Sequence, residues 1–177
     1  VSFGSKVSML YPMSILNGKG ARAEYTGITF AAEDQYLDTG AKVVHAAPHT
    51  SSNINARSIA KDGGHAFYRG LLKVTDSADH AKSTVSCESL MLDNESKSDT
   101  VPVMDLNTDD IDIGHEAKVG RISEEAIFYL MSRGISEEEA KAMIVRGFVE
   151  PIAKELPLEY AVELNNLINL ELEGSIG

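Results

Sequence analysis

The sequence predicts a mainly β fold followed by a small helical domain, and three observations carry that expectation. Over residues 1–120, short runs alternate apolar and polar residues with period two. Ten of the 14 glycines fall in that stretch, as frequent turns require. From Arg121 the apolar spacing changes to the three-and-four pattern of amphipathic helices. The expected organisation is a β segment over 1–120 and a helical domain over 121–177.

Strands are expected over 6–11, 22–30, 42–45, 51–58, 66–74, 82–92, 101–106 and 111–119. Turn material separates them: Asn17-Gly18-Lys19-Gly20, Asp38-Thr39-Gly40, Lys61-Asp62-Gly63-Gly64 and Asp93-Asn94-Glu95-Ser96. Such spacing fits a sandwich, a barrel or a solenoid, and periodicity does not choose among them. In the second part Ser123 can cap a helix running to Ser132, with Ala126, Ile127, Leu130 and Met131 as its stripe and Gly134 as its stop. Ser136 and Glu139 form a capping box for a second helix, whose first-turn acids suit the positive end of the dipole. Its expected buried stripe is Ala140, Met143 and Ile144, its close is Gly147, and Pro151 is a break. Pro157 opens a third helix with Leu158, Ala161, Leu164, Leu167, Ile168 and Leu172 on its apolar face.

At 177 residues and 43% hydrophobic, the chain can bury a core. No apolar run approaches about 18 residues, and the start lacks the form of a signal peptide. Cys87 is the single cysteine, which rules out an internal disulfide and fits a reducing compartment, so a cytoplasmic location is expected. Asn94-Glu95-Ser96 matches a glycosylation acceptor, read as chance without a secretion signal. A net charge of −11 argues against nucleic acid as a partner. The helical part has 11 acidic and 5 basic residues. Acidic runs are ordinarily solvated faces, yet stripes this broad on three short helices also suit a docking surface. No G-x-x-x-x-G-K-[ST] motif is present, so ATP hydrolysis by this chain is not expected.

The residues with most chemistry are Cys87 and the pair His115–Glu116. Val85 and Cys87 share one strand face; Ile111, Ile113, His115, Ala117 and Val119 share another, with Glu116 opposite. Cysteine, histidine and carboxylate together make a ligand set for iron or zinc. The plainer reading is a small buried cysteine and a core histidine. A cysteine-nucleophile enzyme is a third reading, but no orienting partner for His115 and no nucleophile elbow accompany it. His45 sits at a strand end and reads as structural; His49 and His80 read as exposed turn residues.

The runs FYRGLLKV, SCESLMLD, GHEAKVGRISEEAIFYLMSRGISEEEAKAMIVRGF and ELPLEYAVELNNLINLELEGSIG follow one another along the chain. In that order they resemble the C-terminal part of the SufB/SufD family, the scaffold subunits of Suf iron–sulfur cluster assembly. The likeness runs from about Gly40 to the last residue, more weakly upstream, so the chain is expected to be a piece of a longer protein. The resemblance implies a right-handed parallel β-helix, in which Cys87 and His115 can become neighbours on adjacent coils. It implies a transient iron–sulfur cluster at Cys87, His115 and Glu116, with His45 a secondary candidate because family members carry a histidine there. It implies an ATPase partner of the SufC type, docked on Arg133, Gly134, Ile135, Glu138, Met143, Ile144 and Phe148. It implies a β-helix dimer with a SufD-like sister subunit or a second copy. A flavin has been associated with family complexes, but no residue here argues for one.

The context VSCESLMLD and the Glu116-Ala117 that follows His115 resemble SufB more than SufD. Gly114 departs from it, since SufB-like chains carry an acid before this histidine, and Lys118-Val119-Gly120 leans towards SufD. The expected function is a non-catalytic, SufB-like scaffold; the alternative is a cluster-free SufD-like adaptor. Tyr68 and Arg69 in FYRGLLKV are expected to serve packing and inter-coil pairing, and Ser51-Ser52-Asn53 to stack as a hydrogen-bond ladder.

Overall fold

The computed structural model of the chain describes residues 1–172. The chain divides into two compact units, one ending at Gly120 and the other beginning at Arg121.

The first unit carries nine strands: β1 (Val7–Leu10), β2 (Met13–Leu16), β3 (Arg22–Ala31), β4 (Tyr36–His45), β5 (Ser51–Ala60), β6 (His65–Val74), β7 (Ala81–Met91), β8 (Lys97–Leu106) and β9 (Ile111–Arg121). One sheet runs β1-β4-β6-β8, with β2 also on β4; the other runs β3-β5-β7-β9. From β2 onward successive strands alternate between sheets, and β1 to β8 pair in parallel with their sheet neighbours. The architecture is a β-solenoid of about four turns. Each residue stands over its counterpart one coil earlier, as in Tyr36 opposite His65 opposite Lys97.

Several strands are longer than alternation alone predicts. β4 begins at Tyr36, so the Asp38-Thr39-Gly40 expected as a turn lies within it. Gly40 is needed there for another reason: a Cβ would stand 1.8 Å from the backbone oxygen of Arg69 on the next coil. The strand expected over 6–11 is β1, and a second short strand not expected from the sequence, β2, follows beyond Pro12. β8 tolerates Pro102 because it is the last strand of its sheet. Corners are made by residues in the left-handed region: Asp34, His49, Asp62 and His80, with φ from 53° to 59°. Aspartate and histidine enter that region more readily than most residues. His49 and His80 are exposed as expected, and they stack on each other with centroids 4.6 Å apart.

Inside the coils Ile28, Phe30, Leu37, Ile54, Ile59, Leu72 and Val74 are fully buried. Each contributes about 1.5–3 kcal/mol by leaving water. Alternation sends Arg69 outward, where it forks onto buried Asp38 at 2.9 and 3.2 Å one coil back, the inter-coil pairing expected of it.

The second unit holds α1 (Glu124–Met131), α2 (Glu137–Ala153) and α3 (Leu158–Leu172). Ser123 and Ser136 cap α1 and α2 by accepting from Ala126 N–H and Glu139 N–H. Two expectations for α2 are corrected. It continues through Gly147 and Pro151, since a proline in the last turn forfeits only one backbone bond near the end. Its buried stripe is Ala140, Ala142, Val145, Val149 and Ile152, leaving Met143 exposed and Ile144 half-buried. On α1 only Ile127 is buried, and on α3 Leu158 is exposed. No helix among the described residues is long and apolar enough to cross a membrane.

Gly40→Ala should therefore destabilise the full-length protein by at least about 2 kcal/mol, the order of an overpacked interior, read as a shift in urea midpoint. An unchanged midpoint would mean that the coils can separate locally at no cost.

Candidate functional site

Cys87 lies on β7, opposite Ala56 of β5. Alternation turns it inward with Ser83 and Val85, and it is 2% exposed. Its neighbours in the core include Val43, Ile54, Leu72 and Tyr68, with Ile113 of β9 packed against them. Burial pushes the thiol's pKa up to about 11, and the Tyr68 side chain partly offsets that rise. The Tyr68 hydroxyl is buried without a well-formed hydrogen bond, yet lies close enough to the thiol for each to perturb the other. Burial also raises the pKa of Tyr68, and of Tyr25 one sheet away.

β9 is the neighbour of β7 and the last strand of its sheet. Their junction is marked by His80 N–H donating to the Asp110 carbonyl at 2.7 Å and by the Lys82–Asp112 pair at 3.9 Å. Ile111 and Ile113 pack inward, so alternation keeps His115 on the interior-facing side. His115 is nevertheless exposed, as is everything in β9 after Ile113. Glu116 is on the outer face, paired with Lys118 at 2.9 Å, and Lys118 in turn feels Glu88 and Arg57. Arg57 and Glu88 are register partners on β5 and β7, bridged at 3.2 Å. The outer face thus carries a ladder of alternating charge.

The structure brings Cys87 and His115 onto adjacent strands, but leaves Glu116 on the other face. Among the described residues no three of His, Cys, Asp and Glu are grouped to hold a metal ion. Cluster ligation by these three side chains would require further ligands or a rearrangement of β9.

His45 is fully buried. Its Nδ1 lies 2.8 Å from Thr50 Oγ1 and its Nε2 2.9 Å from Ser52 Oγ. Ser52 continues to Ser83 at 2.8 Å, one step of the side-chain ladder expected from Ser51-Ser52-Asn53. Both ring nitrogens are thus occupied by hydroxyls, which fits the structural reading of His45.

What residue-level reading missed is Tyr68. The alternation Ala66, Tyr68, Gly70 already placed its ring inside, but not that its hydroxyl would meet the one thiol of the chain.

A family model described as "SUF system FeS cluster assembly, SufBD core domain" matches residues 1–148. The chain belongs to the SufBD family. Relatives named iron–sulfur cluster assembly SufBD family proteins include those of Mycobacterium tuberculosis (strain ATCC 25618 / H37Rv) and Staphylococcus saprophyticus subsp. saprophyticus. Each is 54% identical over 176 residues, 99% of this chain. The chain spans 21% of the mycobacterial relative and 38% of the staphylococcal one. The likeness reaches the first residues of this SufBD chain, further upstream than the blocks that first suggested it.

Burial lowers the His45 pKa, so the neutral ring is the native form. The unfolded chain takes up that proton near pH 6.5, before the folded chain does. This contribution to stability is complete above about pH 6.5 and is lost as pH falls towards the folded value. Unfolding free energy of this SufBD protein should drop below that pH by up to about 1.4 kcal/mol per unit. His45→Gln should flatten that part of the slope; an equal slope in both proteins would place the proton uptake elsewhere.

Proposed function

We propose that the chain is the SufB-like part of a scaffold on which an iron–sulfur cluster is built and passed on. The observation that carries this reading is the placement of the single cysteine and a histidine on β7 and β9, adjacent strands at the end of a SufBD solenoid. Cys87 would receive sulfur or bind iron, His115 would supply nitrogen and Glu116 oxygen, with iron and sulfide as cargo. A complete set of four thiolates would hold a cluster firmly, whereas mixed ligation favours release. The thiol must first be uncovered, since a buried thiol with a raised pKa is a poor ligand. Displacing β9, the terminal strand, is the shortest route.

The same end of the solenoid suits a sister subunit. β8 and β9 end their sheets, and Val101, Val103, Met104, Leu106 and Val119 on them are exposed. Apolar edge strands of this kind are covered or paired in stable assemblies. A partner β-helix there would exclude water from Cys87 and could complete the ligand set.

On the helical unit, a groove of about 640 Å³ between α2 and α3 is bordered by Met143, Gly147, Ala153, Leu156, Leu158 and Ala161. Arg146, Glu150, Lys154 and Asn165 line it too, and its apolar part with exposed Met143 supports the docking of an ABC-type ATPase there. Phe128 and Tyr129 on α1 are exposed as well, beside the residues from Arg133 to Glu138 assigned to the same contact.

One observation favours the alternative, a cluster-free SufD-like adaptor: Cys87 packs like any small core residue and no three-ligand group surrounds it. Anaerobic reconstitution of the full-length protein with iron and sulfide separates the two. A scaffold develops visible absorption and bound iron that Cys87→Ala loses, whereas equal iron in both proteins would move the ligands elsewhere. For the docking surface, Met143→Asp with Leu158→Asp should weaken ATPase capture at least about tenfold at an unchanged unfolding midpoint. Undiminished capture would exclude the groove.

A further inference from the structure

Tyr68 is 2% exposed, and its hydroxyl is buried without a hydrogen-bond partner among the described residues. A buried hydroxyl left in that condition is destabilising, and phenylalanine would fill the same apolar space without it. The ring is seated by Gly70, two residues further along β6: a Cβ there would stand 3.1 Å from Tyr68 Cε1. So seated, the side chain shares the core cluster of Cys87 and bears on the thiol directly. Thr100, opposite Tyr68 on β8, has a buried and unpartnered Oγ1, and Ser98 Oγ is in the same condition. Three unsatisfied hydroxyls therefore stand on the last two strands of one sheet, one of them against the only sulfhydryl of the chain.

We propose that Tyr68 is a positioning residue for sulfur on Cys87, its hydroxyl donating a hydrogen bond to the anionic sulfur that the thiol becomes. The inference rests on the reading of Cys87 as the sulfur-receiving residue. A neutral thiol is a weak acceptor and leaves the phenol unsatisfied, whereas a thiolate or persulfide is a strong one. The cluster that holds Cys87 is otherwise aliphatic apart from Tyr25, which packs against it, and Val43, Ile54, Leu72 and Val85 cannot stabilise an anion. With inorganic polysulfide as donor, the Cys87 thiolate attacks one sulfur–sulfur bond. A new bond forms to Cys87 Sγ, the old one breaks, and the shortened polysulfide leaves with the electron pair. The persulfide that remains is the anion Tyr68 holds, and no outside oxidant is needed.

The test loads the full-length protein anaerobically with inorganic polysulfide and follows the Cys87 persulfide by mass spectrometry. Tyr68→Phe should shorten its lifetime about tenfold, the scale of one hydrogen bond to a charged group. Fluorotyrosine at position 68, nearly the same shape and a stronger donor, should lengthen it. A packing role would not give opposite shifts. Equal lifetimes in all three proteins overturn the role of Tyr68 and leave Cys87 as the receiving thiol. No persulfide on the wild type overturns the Cys87 reading, and the inference with it. The S–H stretching band of Cys87, identified by its loss in Cys87→Ala, gives a second measurement that needs no loading. It should move in Tyr68→Phe, and a band left in place refutes the contact.

Discussion

In-register parallel pairing between coils is the constraint on which the rest of the first unit depends. Each residue stands over its counterpart on the coil before, so each side chain is matched to one fixed partner. Ser52 over Ser83, Arg57 over Glu88 and Gly40 under Arg69 are three consequences of one geometry. A slip of one residue would turn every inward side chain outward, placing Cys87 in solvent and Glu88 in the core. Burying that charge is far more unfavourable than any single contact is favourable. Register is thereby enforced by polar residues as firmly as by apolar ones.

The same geometry sets the chemistry of the sulfur. With its pKa pushed up to about 11 by burial, Cys87 stays protonated at neutral pH. His115 and Glu116 gain no such protection, since no strand of this unit follows β9 in its sheet. A buried donor beside exposed ones does not make a resident metal site. It fits a site assembled only when the terminal strands open or are covered by another chain.

Much of this was legible in the sequence, and the limits have physical reasons. Period-two alternation located the strands and the inward face of Cys87, because one residue in two must meet the core. It could not tell solenoid from sandwich, since both impose the same alternation; strand pairing between residues far apart decides that, and periodicity is blind to it. Gly40 was read as a turn signal when it is a close-approach glycine inside β4, two demands that look alike in one letter. The stripe of α2 was misplaced by one residue because Ala142 and Val145 are smaller than Met143 and Ile144. Size drew the assignment towards the wrong face. The orphan hydroxyl of Tyr68 was out of reach of any pattern, because an unmet hydrogen bond is a property of neighbours.

Burial also bears on why the one cysteine of this chain sits where it cannot readily react. A thiolate held in water beside iron and sulfide is open to oxidation up the ladder to acids that no thiol reverses. A thiol kept protonated inside a coil is inert until the coil end opens. Opening removes the desolvation that raises the pKa, so uncovering and activation are one event. The cost of that event scales with what must be unpaired, and β9, bonded to β7 alone in its sheet and apolar against the core only at Ile111 and Ile113, is the strand over Cys87 that gives up least. A cysteine one strand in from the edge is covered by that edge strand, and a small, local opening would be enough to expose it.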